Sequence, residues 1–197
     1  MSGPVLQSNG YGSRYCGRSH RHTGQPVMND EGASCERFLE AVLEGQRGRL
    51  MTRYIPGDVR RRIVCQDCSD DNNARATFDS GTGRVTLCRN RIRDVAALED
   101  ALCHEFVHVY DAVVKEPRLD LSNPDDLACS EIRAAFWGEC LRVQDDSQRK
   151  HCVHRVAAAA AENNFPGIGA RLVRSLFRKC YRDRAPWHDP SLNVTSE

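Results

Sequence analysis

Residues 103–111, CHEFVHVYD, contain the pattern His-Glu-x-x-His. On a helix with about 3.6 residues per turn, His104 and His108 lie one turn apart on the same face. Two imidazoles in this arrangement can hold one Zn²⁺, and Glu105 beside them can accept a proton from a metal-bound water molecule. The pattern therefore predicts a metal-binding helix with one zinc ion per chain and with Glu105 as the catalytic residue.

The residues around this pattern predict that it is helical. Asp94 can cap the helix, Pro117 stops it, and Lys115 lies near its negative end. Apolar residues recur at helical spacing on another side of the same segment, at Val95, Leu98, Leu102, Phe106, Val109 and Val113. This context favours a metal site over a chance match with two structural histidines.

The chain has 197 residues, which suggests one domain with a modest core. Its formal net charge of +1 gives no general support for binding nucleic acid. No segment approaches the ~18 consecutive apolar residues that cross a bilayer, and the N-terminus lacks the apolar core of a secretory signal. We expect a flexible N-terminal tail over 1–32, a folded domain over 33–190 and a C-terminal tail over 191–197.

A basic segment over 171–184 mixes cationic and apolar residues. It is either a solvated surface or a face attracted to anionic lipid, as in peripheral membrane proteins.

Ten cysteines are many for a chain of this length. An even number is typical of proteins that pair their cysteines in an oxidising compartment, and spacing alone does not determine the connectivity. The alternative is a second zinc site at Cys65 and Cys68 with Cys88, which lacks a fourth ligand at matching spacing. The disulfide candidates of the folded domain are Cys35, Cys65, Cys68, Cys88, Cys103, Cys129, Cys140, Cys152 and Cys180.

The order of the other elements predicts an α+β fold. A small antiparallel sheet packs on the metal helix, and a helical C-terminal half follows. Strand Arg84–Leu87 alternates polar and apolar residues just before the metal helix. Because zinc peptidases often add an extended substrate to an edge strand near the metal, we expect this strand or its neighbour to bind substrate. The expected helices span 33–47, 94–116, 124–137, 146–163 and 168–182; the expected strands span 63–65, 74–78 and 84–87.

Catalytic zinc usually has three protein ligands and a water molecule. Glu131 is the predicted third ligand, because it lies on a following helix that can pack antiparallel to the first. This arrangement resembles gluzincins, which have a zincin-like fold. Asp111 is the alternative ligand, although hydrogen bonding to a histidine or to Arg133 is easier to build. The candidates for stabilising an oxyanion are Tyr110, Arg133 and His151.

The two motifs together, residues 103–111 and 129–134 with Cys140 beyond them, resemble the Ku-binding-protein-related family of mitochondrial inner-membrane zinc peptidases. The resemblance covers roughly residues 34–190. It assigns His104 and His108 as zinc ligands and Glu105 as the catalytic residue. It implies a peripheral protein on the intermembrane-space side of the inner membrane, with cysteines oxidised during import.

The resemblance also implies two roles. One is a zinc endopeptidase that matures the precursor of an ATP synthase membrane-sector subunit. The other is a chaperone for ATP synthase assembly, which does not require proteolysis. The alternative to the enzyme is therefore a non-proteolytic binding module with a structural or vestigial zinc site. No nucleic-acid partner and no particular oligomeric state are predicted.

Overall fold

The computed structural model describes residues 5–9, 34–69 and 73–187. Within these residues all the strands lie before residue 89, and the elements that follow are helical. The strands are β1 (Val5–Asn9), β2 (Ile63–Gln66), β3 (Ala74–Asp79) and β4 (Arg84–Cys88). The helices are α1 (Ser34–Glu44), α2 (Gln46–Thr52), α3 (Gly57–Arg60), α4 (Val95–Val109), α5 (Pro124–Trp137), α6 (Asp146–Asn164) and α7 (Gly169–Cys180).

The caps that the sequence predicts are present. The Asp94 side chain accepts a hydrogen bond from the Ala97 N–H at the start of α4. The Asn123 side chain does the same for the first N–H groups of α5. Helix α4 ends at Val109 and continues as one π-helical turn, Tyr110–Val114, before the chain turns away.

The helix expected over 33–47 is divided. It ends at Glu44, and α2 begins at Gln46 and folds back over it. Gly48 of α2 packs directly on the Val42 backbone, where a Cβ atom would have no room. This close approach fixes the position of α2, and the helix extends to Thr52, beyond the end predicted at residue 47.

The sheet is mixed rather than antiparallel. Its strand order is β1-β3-β4-β2. Strand β3 is antiparallel to β1 and β4, whereas β2 is parallel to β4. Strand β4 follows β3 in a hairpin and lies between β3 and β2. Consequently Arg84–Leu87 is an interior strand, and the prediction that it is itself the substrate-binding edge is wrong.

Residues 5–9 correct part of the expected flexible tail. They form β1, which pairs with the outer edge of β3 and satisfies backbone groups that an edge strand leaves open. The rest of the expected N-terminal tail from residue 10, and the expected tail over 191–197, lie outside the described residues.

Helix α4 forms the centre of the core. Its apolar face packs on the sheet, and another face packs on α5. Alternate residues of β3 point into this core, among them the fully buried Phe78. In the described part of the chain, no helix has the length and apolar character required to cross a bilayer.

Four disulfides bond eight of the nine candidate cysteines. The exception is Cys103, which is free and buried on α4 beside Met51, so the prediction that it is paired is wrong. Cys65 and Cys68 are both in disulfides, which excludes them as ligands of a second zinc site. The disulfides are Cys35–Cys65, Cys68–Cys88, Cys129–Cys180 and Cys140–Cys152.

Candidate metal centre

The packing of α5 on α4 brings His104, His108 and Glu131 together. Their ligand atoms all lie within 4.8 Å of one another. Glu131 Oε2 is 3.3 Å from His104 Nε2, and Glu131 Oε1 is 3.6 Å from His108 Nε2. The two imidazoles project from successive turns of one helix, and the carboxylate reaches them from the other.

These three side chains fit a metal ion. The Nε2 atoms of both histidines and both carboxylate oxygens of Glu131 are buried without a hydrogen-bond partner. Buried polar groups are rarely left without partners, because their desolvation then remains uncompensated. Four such atoms facing one point are explained by a cation between them, and two imidazoles with one carboxylate are a common ligand set of catalytic zinc.

The close approach of the two helices depends on the end of α5. A Cβ atom at Gly138 would lie 2.9 Å from the Asp100 carbonyl oxygen and 3.1 Å from His104 Cβ. The glycine therefore lets the end of α5 touch α4 directly beside a cluster residue. Glu139 follows it and lies 3.1 Å from His104 Nδ1.

Glu139 determines which nitrogen of His104 faces the cluster. An ionised carboxylate only accepts hydrogen bonds, so His104 Nδ1 carries the proton and Nε2 faces Glu131. On its other side Glu139 is 3.5 Å from the Arg75 guanidinium of β3. The sheet therefore contributes a cation behind the cluster.

A second chain of hydrogen bonds orients His108. Ser130 donates to Asp111 across 2.8 Å, so its oxygen accepts from His108 Nδ1, also at 2.8 Å. The other oxygen of Asp111 contacts the buried Arg133 guanidinium. Asp111 thus lies outside the His-His-Glu cluster and bonds Arg133 and Ser130.

Arg133 is itself held in place by the C-terminal segment. Its guanidinium donates to the Ala185 carbonyl oxygen and lies 3.5 Å from Asp183. The central carbon of the guanidinium is 5.8 Å from the ring centroid of Tyr110.

Tyr110 and Arg133, two of the candidates for stabilising an oxyanion, are therefore close together. The third candidate, His151, is exposed on α6.

Electrostatics distinguishes the two histidines. Burial lowers the pKa of His104, but Glu139 and Glu131 outweigh it and hold this pKa well above its usual value. Burial lowers the pKa of His108 well below its usual value, and electrostatic repulsion from His104 and Arg133 acts in the same direction. Burial also raises the pKa of Glu131, against the effect of His104.

Glu105 lies on α4 next to His104 in sequence and is completely buried. The cluster residues are equally inaccessible, with no side chain more than 1% exposed. The site is therefore closed to solvent in this conformation.

Ser130 and Glu139 were not predicted from the sequence. Ser130 directly precedes the predicted ligand Glu131, and Glu139 directly follows the glycine that ends α5. Neither residue belongs to a recognisable spacing. The available signal was proximity in sequence to a predicted ligand and to a helix end.

Comparison with known proteins gives a consistent result. The model of the peptidase M76 family matches residues 35–188. A Danio rerio protein named mitochondrial inner membrane protease ATP23 homolog is 32% identical over 148 residues, covering 64% of this chain and 54% of that protein. The Homo sapiens protein of the same name is 28% identical over 140 residues, covering 64% and 55%.

A fungal relative aligns over a longer stretch. The mitochondrial inner membrane protease atp23 of Aspergillus clavatus is 28% identical over 191 residues, covering 82% of this chain and 76% of that protein. The chain spans about half the length of the Danio rerio and Homo sapiens relatives. No solved structure matches the chain.

Proposed function

This chain belongs to the peptidase M76 family, and we propose that it is a zinc-dependent endopeptidase. The observation that carries the proposal is the buried cluster of His104, His108 and Glu131, whose ligand atoms face one another without hydrogen-bond partners. The same helix carries Glu105 beside this cluster. A gluzincin-like arrangement of the two helices is part of the proposal.

Each residue then has a defined task. His104, His108 and Glu131 hold the zinc ion, which when bound supplies an acidified water molecule and polarises the carbonyl of the scissile bond. Glu105 accepts the proton of the attacking water molecule and delivers it to the leaving amine. Glu139 and Ser130 keep both imidazoles in the tautomer whose Nε2 faces the metal.

The proposed substrate is the precursor of an ATP synthase membrane-sector subunit. We place the protein on the intermembrane-space side of the mitochondrial inner membrane, as a peripheral protein. The relatives' names support the inner membrane. Four disulfides support an oxidising compartment, because such bonds are rare where thiols are kept reduced.

The test begins with zinc content and a single substitution. Metal analysis of the oxidised protein should give about one zinc per chain, as the cluster's single ligand set requires. Glu105→Gln should keep the zinc and the fold but abolish cleavage of fluorescein-labelled casein. Glu116→Gln makes the same change at a side chain that is 79% exposed, and it should leave cleavage unchanged. Undiminished cleavage by Glu105→Gln would refute the proposed catalytic role.

The closed state of the cluster favours a second role, assistance of ATP synthase assembly without proteolysis. A binding module needs no access to its metal, and His104 and His108 are only 1% exposed. This role predicts that Glu105→Gln restores ATP synthase assembly in cells lacking the native protein. Failure of a stably expressed Glu105→Gln chain to restore assembly counts against it.

A further inference from the structure

Strand β1 covers the edge of the sheet beside the metal-binding helix. It pairs antiparallel with β3, from Val5 opposite Asp79 to Asn9 opposite Ala74. It also contacts α4 and α6. Residues 10–33, outside the described part of the chain, connect it to α1.

The pairing is interrupted close to the metal cluster. Ser8 pairs with Ala76 and Asn9 with Ala74, so Arg75 has no partner in β1. A β-bulge changes the direction in which the extra residue's side chain points. The Arg75 guanidinium lies 3.5 Å from Glu139, the carboxylate that hydrogen-bonds His104 Nδ1. The C-terminal end of β1 is therefore at the end of β3 that borders the cluster.

Cleavage requires a peptide carbonyl next to residues that are at present inaccessible, since the cluster side chains are at most 1% exposed. Extended peptides commonly bind by adding a strand to a sheet edge. Strand β4 is interior. Without β1, β3 would be an edge strand, so β1 covers the edge that β3 would otherwise expose. A peptide that pairs with β3 beside α4 must take the position of β1.

We propose that β1 is an internal occupant of the substrate site: it pairs with the β3 edge that an extended peptide substrate would use, and it must leave before substrate binds. This inference rests on the proposed peptidase function. The pairing involves only five residues of β1, so a competing strand can replace it. If β1 covers the edge about nine-tenths of the time, the apparent affinity for a competing peptide falls about tenfold.

The first experiment compares the full chain with a chain lacking residues 1–9. Removal of β1 should raise kcat/KM for fluorescein-labelled casein about tenfold. A synthetic peptide of residues 1–12, added to the shortened chain, should inhibit it competitively, whereas a scrambled peptide should not. An unchanged kcat/KM together with no inhibition by the synthetic peptide would overturn the inference while leaving the peptidase function intact.

A second variant decides the matter if the shortened chain fails to fold. Gln7 and Thr77 are directly paired, so cysteines at both positions are within reach of a disulfide. The oxidised Gln7→Cys/Thr77→Cys chain should lose casein cleavage, and the two single variants under the same oxidation should keep it. Full cleavage by the cross-linked chain, verified by mass spectrometry, would overturn the inference.

A binding measurement separates this inference from the peptidase function. The fluorescein-labelled peptide of residues 1–12 should bind the shortened chain, or the full chain through exchange, and should not bind the cross-linked chain. If no form cleaves casein, the peptidase proposal fails, and this difference in anisotropy still supports the assignment of β1. Equal binding to cross-linked and uncross-linked chains would overturn it.

Discussion

Replacing Arg133 by leucine tests the buried charge network behind His108. Arg133 is 1% exposed and Asp111 is fully buried, and the guanidinium contacts the carboxylate directly. Without Arg133, the buried carboxylate keeps the Ser130 hydroxyl as a donor but has lost the cation that contacts it. Breaking one side of a buried ion pair costs about 3–5 kcal/mol, so we expect Arg133→Leu to lower the free energy of unfolding by about that amount.

The loss depends on pH in a defined direction. Burial already raises the pKa of Asp111, against the effects of Arg133 and Ser130, so removal of Arg133 raises this pKa further. A carboxyl whose folded-state pKa exceeds its unfolded value of about 3.9 destabilises the fold as the pH rises through these values. The difference between Arg133→Leu and the parent chain is therefore larger at about pH 8 than at about pH 4.

Urea unfolding in EDTA, followed by circular dichroism, measures this difference without a contribution from bound metal. Arg171→Leu is the matched control, because Arg171 is exposed on α7 and its loss should change stability by less than about 0.5 kcal/mol. The double variant Asp111→Asn/Arg133→Leu removes both charges and should recover part of the loss. The reasoning is refuted if Arg133→Leu is no less stable than Arg171→Leu, or if the double variant recovers nothing.

Three further predictions concern the surroundings of the cluster. Ser130→Ala and Glu139→Ala should each weaken zinc binding about 10–100-fold in competition with a chelator dye, because an imidazole loses its orienting partner; unchanged affinity would exclude that role. Burial raises the pKa of the Cys103 thiol to about 12, so it should stay unreactive towards a thiol reagent at about pH 8 until urea is added, and Cys103→Ser should lack this late-reacting group. Gly138→Ala should lower the free energy of unfolding by about 1–3 kcal/mol in the same urea assay, since its Cβ would meet His104; a change below about 0.5 kcal/mol would show that the helices do not touch there.

The elements that follow from local chemistry were predictable. Asp94 and the periodic apolar residues specify α4, and Asn123 with Pro124 specifies the start of α5. Because the spacing of His104 and His108 is a property of the helix itself, the face that they share was also predictable. Glu131 required one added assumption, that the two helices pack against each other.

Features that depend on the crossing of distant elements were not predictable. The parallel pairing of β2 with β4 depends on which side of the hairpin β2 joins, and the strand's own residues do not specify this. The contact of Glu139 with His104 depends on how closely Gly138 lets α5 approach α4. Cys103, the free thiol among the described cysteines, is unpaired because of its place on the core face of α4, which the cysteine count does not indicate.

The disulfide pattern would give a bound metal ion a role in holding the fold together. Two disulfides close loops within residues 35–88 and two within residues 129–180, and none of the four reaches α4. The helix that carries His104 and His108 therefore lies between two units, residues 35–88 and residues 129–180, each of which is cross-linked internally by disulfides. A zinc ion bound by His104, His108 and Glu131 would add a cross-link between α4 and the C-terminal unit. Chelation of the metal in the absence of reductant should then loosen the contact between α4 and α5 and speed amide hydrogen exchange along both helices. Both disulfide-linked units should stay folded.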